Sequence, residues 1–135
     1  MEKLTLRKEV LGKALKTLEK SLTKLENKKY DDYQELRDSI IQRFEYSTDT
    51  FWKYLKDYLF FILKIEVEFA RPKPILKECF DAKIINKEEF DISIDLIEDR
   101  NLTSHGYNED LAEEISRDIP KYFLLMKNIL ERLSI

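Results

Sequence analysis

Apolar residues recur at three- and four-residue steps along most of this chain, and that spacing predicts helices. Leu6, Val10, Leu11, Ala14, Leu15, Leu18, Leu22 and Leu25 share one face of a helix over 4–28, with lysines opposite. Lys28-Lys29-Tyr30-Asp31-Asp32 reads as the turn that follows. A longer, unusually aromatic helix runs from about Tyr33 to about Glu68, with a stripe of Leu36, Ile40, Phe44, Ser47, Phe51, Leu55, Tyr58, Leu59 and Ile62. Arg71-Pro72-Lys73-Pro74 stops it, because proline cannot continue a helix and restricts the residue before it.

Ile75 to about Lys83 forms a short helix with Pro74 near its start. Asn86 with Glu89 three residues on reads as an N-cap, and opens a helix carrying Phe90, Ile94 and Ile97 with Ile92 and Leu96 to one side. Gly106 is expected to end that helix in a left-handed conformation. Asn108 caps a last helix, with Glu109 and Asp110 in the first turn where the dipole favours them. Its apolar residues run from Leu111 through Ile115, Ile119, Tyr122, Phe123, Met126, Ile129 and Leu130 to Leu133, and Pro120 is expected to kink or split it. The pattern predicts an all-α fold: an up-and-down four-helix bundle with a short extra helix, residues 1–135 forming a single domain.

Composition agrees. Gly 2 and Pro 3 are too few for sheets or long loops. The charged N-terminus lacks the apolar run of a signal peptide. The most apolar stretch, Tyr58 to Ile65, is interrupted by Lys64 and too short for a bilayer, so no membrane association is expected. The single Cys79 cannot form an internal disulfide, which suits a cytoplasmic protein. One His and one Cys make no zinc site unless acidic residues or a second chain join in, so neither a metal nor a cofactor is expected.

Net charge is −3, which argues against a general nucleic-acid coating protein. Its distribution is uneven. Residues 1–29 hold nine Lys/Arg against four Asp/Glu, a net +5, whereas residues 86–118 hold three against eleven, a net −8. RNA meeting the second region would need cations from the first helix, a second subunit or a partner.

That acidic region contains Arg100-Asn101-Leu102-Thr103-Ser104-His105-Gly106-Tyr107, with the only histidine of the chain. Arginine offers a planar fork of donors to a phosphate. Histidine trades protons near neutral pH. His105 is therefore a candidate general base on a ribose 2′-hydroxyl, with Arg100 stabilising the phosphorane-like transition state and Asn101 and Ser104 orienting phosphate or imidazole. Such a reaction leaves a 2′,3′-cyclic phosphate and a 5′-hydroxyl. On a regular helix Arg100 and His105 lie about 140° apart. They converge only if the helix loosens near Ser104–Gly106, or if a two-fold axis brings together residues of two chains. The plainer alternative is that both merely bind the last carbonyls of the helix. Likewise Tyr107 is either a packing residue or a modification target. The aromatic second helix is core or dimer interface, and Glu45, Asp49 and Trp52 are candidates to line a nucleotide cleft.

Arg100-x4-His105-x-Tyr107 resembles the signature of the HEPN superfamily, small helical bundles often encoded beside a minimal nucleotidyltransferase. The segment from Arg43-Phe44-Glu45-Tyr46 to Lys56-Asp57-Tyr58-Leu59, and Pro72-x-x-Ile75-Leu76-Lys77-Glu78, are similar to its nucleotidyltransferase substrate-binding branch. The resemblance spans 4–133. It implies the homodimeric toxin of a two-gene toxin–antitoxin pair, with Arg100 and His105 carrying metal-independent ribonuclease activity at a dimer cleft. It also implies a partner nucleotidyltransferase that transfers AMP onto Tyr107. The branch's older label implies the alternative, a non-catalytic adaptor that binds a substrate for that partner.

Overall fold

The computed structural model describes residues 1–104, 106 and 108–133. Among them are five helices: α1 (Glu2–Glu26), α2 (Tyr33–Phe61), α3 (Pro72–Asp81), α4 (Lys87–Thr103) and α5 (Glu109–Arg132). The protein is all-α. The four long helices touch in a closed ring, α1 on α2, α2 on α4, α4 on α5 and α5 on α1. α2 also reaches α5 across the middle, and α3 lies against α2 and α4. α2 is thus the one helix that packs on all the others, which explains its long aromatic stripe.

The helix starts follow the local chemistry. Asp32 accepts from the Glu35 amide at 3.2 Å, and Asn108 from the Leu111 amide at 2.8 Å. Asn86 and Glu89 form a reciprocal capping box, with bonds of 2.8 and 2.9 Å. Each cap satisfies amides that the first turn leaves open.

Three expectations need correction. α2 ends at Phe61 rather than near Glu68. Lys64 turns left-handed at φ +59°, and the Ile65 amide folds back onto the Leu59 carbonyl at 2.9 Å. Beyond that point Ile65 and Val67 pack on the core while Glu66 and Glu68 face water, an alternation that belongs to extended chain. Leu6 is exposed, and Leu4 takes its place in the core face of α1. α5 is not split at Pro120, whose ring lies on the exposed side of an unbroken helix.

One continuous cluster of buried side chains fills the ring. Phe44 of α2 stacks on Tyr122 of α5 with ring centroids 5.6 Å apart. Buried charge is paired. Arg37, 2% exposed, donates to Glu109 at 2.7 Å and to Glu113 at 3.1 Å, which ties the start of α2 to the first turns of α5. The buried Asp57 accepts from Arg7 at 2.9 Å. Among the described residues no helix is long and apolar enough to cross a membrane.

Candidate functional site

α4 carries the arginine of the motif to α2. Leu96 and Ile97 are buried, and Arg100 follows one turn later on the same side. On α2, Glu45 and Asp49 are four residues apart and so share a face. That face meets Arg100. Its Nε donates to Asp49 Oδ1 at 3.1 Å and its Nη2 to Asp49 Oδ2 at 3.1 Å, a bidentate pair. Nη1 donates to Glu45 Oε2 at 3.1 Å. The Thr103 hydroxyl lies 2.8 Å from the same Glu45 oxygen and 2.7 Å from the Arg100 carbonyl, so its single proton serves one of them at a time.

These groups are neither sealed nor fully wet. The Arg100 side chain is 22% exposed, that of Glu45 26% and that of Asp49 41%. The hydrogen bonds to Asp49 hold the guanidinium even more firmly protonated than usual, with the charges of Asp49 and Glu45 adding to them and desolvation opposing. One cation against two carboxylates leaves the cluster a net −1.

Beside the cluster is a small cleft of about 110 Å³, room for about four waters. Trp52, Pro72, Asp49, Arg100, Asn101 and Ser104 line it above the buried Thr48 and Ile97. Among the described residues the buried Thr48 hydroxyl beneath the cleft has no hydrogen-bond partner.

Of the site residues expected from sequence, Arg100, Asn101, Ser104, Asp49 and Trp52 therefore share one cleft, and Glu45 joins through Arg100. His105 and Tyr107 lie outside the described residues. α4 does stop just before them. It ends at Thr103, Ser104 caps it with its hydroxyl on the Asn101 carbonyl at 2.8 Å, and Gly106 is left-handed at φ +76°. Gly106 thus sits two residues past the cap rather than directly after it. Thr103, Thr48 and Pro72 were not expected at the site. The signal for Thr103 was its position three residues after Arg100, which on a helix makes them neighbours.

A family model described as nucleotidyltransferase substrate binding protein like matches residues 6–135. The chain belongs to this family. The branch resemblance read from α2 and from the Arg100 motif is thereby borne out. A Thermus thermophilus protein known from its crystal structure is 36% identical, superposes with a TM-score of 0.81, and covers 93% of this chain and 99% of its own. A crystal structure of a mutant toxin–antitoxin MntA-HpeT has a TM-score of 0.76 over 97% of this chain and 96% of that one. At 9% identity it shows a shared fold and no more. No curated protein matches the sequence. The Arg100 cleft is where the residues of the sequence motif and those of the aromatic second helix come together.

Proposed function

We propose that this protein is the HEPN-type member of a two-gene toxin–antitoxin pair, that it works as a cytoplasmic homodimer beside a minimal nucleotidyltransferase, and that it cleaves RNA without a metal. The observation that carries this reading is the placement of Arg100. The last turn of α4 presents it at an open cleft with Asn101 and Ser104, and His105 follows directly. The family description and the toxin–antitoxin to which the fold is similar support the pairing.

On this reading the His105 imidazole removes the proton of a ribose 2′-hydroxyl. The 2′-oxygen then bonds to phosphorus as the bond from phosphorus to the 5′-oxygen breaks. The leaving 5′-oxygen takes a proton from water, and Arg100 stabilises the charge that builds on the non-bridging oxygens. The products are a 2′,3′-cyclic phosphate and a 5′-hydroxyl. No cofactor enters this chemistry. AMP transferred by the partner to Tyr107, three residues after Ser104 in the sequence, would add bulk and negative charge close to the motif and so shut the site.

The carboxylates around Arg100 favour a second reading, a non-catalytic adaptor whose cleft receives a donor-rich substrate for the nucleotidyltransferase. Incubation of the purified protein with RNA in EDTA separates the two. The first reading expects cleavage that disappears in His105→Ala. The second expects a tight complex with the co-expressed nucleotidyltransferase and intact RNA.

A further inference from the structure

Among the described residues Arg100 is the only cation at the cleft, and it is already engaged. Asp49 holds it in the two-point geometry that a phosphate would use, and Glu45 takes a third N–H. An RNA phosphate approaching the fork meets a carboxylate in its place and a cluster of net −1 behind it. We infer that Asp49 and Glu45 are gating residues, built-in competitors for the guanidinium that keep the cleft closed to RNA phosphate until they are displaced. The inference rests on Arg100 being the phosphate-binding group of the proposed reaction, and it assigns that site its regulation.

The geometry fits a displaceable gate better than a fixed support. α2 is anchored in the core here, with Phe44, Ser47, Thr48 and Phe51 buried around the two acids. Yet Asp49 is 41% exposed at its side chain, so it can turn to water when a stronger anion arrives. Glu45 also faces the Thr103 hydroxyl at 2.8 Å, so it keeps a donor within reach when it releases the guanidinium. The surrounding acidity acts in the same direction, since residues 86–118 carry a net −8 from eleven acidic and three basic residues. Long-range repulsion therefore adds to the local competition.

The test uses the full-length protein and a short fluorescent 2′-O-methyl RNA, which binds but cannot be cut. Anisotropy titrations compare the wild type with Asp49→Asn and with Glu45→Gln/Asp49→Asn. Neutral isosteres keep the shape and remove the competing charge. Asp49→Asn is expected to bind about tenfold tighter, the worth of one charge-assisted hydrogen-bonded pair, and the double variant tighter still. The salt slope should steepen as the freed guanidinium takes up a phosphate. The gain must vanish in an Arg100→Gln background. Unchanged or weaker binding in folded Asp49→Asn overturns the inference, and so does an equal gain without Arg100, which would be general charge relief. If Asp49→Asn melts out, Glu45→Gln alone carries the same comparison. Cleavage of unmodified RNA is read separately. A gain in binding with no cleavage contradicts the ribonuclease reading and leaves the gate standing.

Discussion

Removing one hydroxyl at Tyr122 tests how α4 is held in the orientation that presents Arg100. The Tyr122 hydroxyl donates to Asp99 Oδ2 at 2.6 Å, from α5 to the residue just before Arg100. α4 is thus pinned to α5 by Asp99 and to α2 by Arg100. Burial pushes the Asp99 carboxyl above the ordinary aspartate range, the hydrogen bond from Tyr122 pulls it back, and the charges of Asp118, Asp95 and Glu114 raise it again. Tyr122→Phe removes the one contact that opposes the rise and leaves a half-buried carboxylate without its donor. A hydrogen bond to a charged group contributes about 2 kcal/mol, a neutral one about 1 kcal/mol. A folded pKa above the unfolded one means stability that is present at low pH and lost as pH rises through the raised value. The substitution should therefore cost about 2 kcal/mol at neutral pH, where Asp99 is charged, and about 1 kcal/mol at a pH below the ordinary aspartate range, where it is protonated. For a chain of this size the neutral-pH loss corresponds to a Tm lower by roughly 6 °C. Urea denaturation of both proteins at the two pH values measures it. Equal costs at both pH values, or a neutral-pH loss under about 0.5 kcal/mol, would refute the reasoning.

Other outcomes follow from the same geometry. Phe51→Ala opens a cavity in the fully buried stripe of α2 and should lower stability by about 3–5 kcal/mol in chemical denaturation. Arg37→Met should cost about 1–2 kcal/mol at neutral pH. Hydrogen bonding to Arg37 lowers the Glu109 pKa, and hydrogen bonds from Tyr33 and then Arg37 lower that of Glu113. Their contribution is present above the ordinary glutamate range and lost as pH falls through the lowered values, so the gap between wild type and Arg37→Met should narrow on acidification. Burial pushes the Cys79 thiol up to about 12, so a thiol reagent at neutral pH should label it only as fast as the protein opens, and denaturant should make labelling immediate.

Much of the fold was legible because its signals are local. Asn86 with Glu89 and Asn108 each act within one turn, and each stands where its chemistry requires; the proline pair at 72 and 74 instead opens α3 and does not stop α2, which ends at Phe61. The end of α2 was missed because Ile62, Leu63 and Ile65 extend the apolar stripe without a break. The informative change was the switch from helical spacing to alternation at Ile65-Glu66-Val67-Glu68. Arg37 escaped notice because a buried arginine is a tertiary fact, explained only by Glu109 and Glu113 on another helix. The site divides in the same way. The spacing of Glu45 and Asp49 put both acids on one face, and helical phase put Arg100 beside Leu96 and Ile97. That these two faces meet, so that the acids hold the arginine a phosphate was expected to find free, depends on how α2 packs against α4, and neither helix encodes that alone.

The central claim is that Arg100 and His105 act together on RNA. The direct measurement is cleavage of a defined RNA by the purified protein in EDTA, with product ends analysed by mass spectrometry, for wild type, Arg100→Gln and His105→Ala. The account predicts 2′,3′-cyclic phosphate ends from the wild type and intact RNA from both variants. Cleavage that survives either substitution, or no cleavage by the purified wild-type protein, would contradict it.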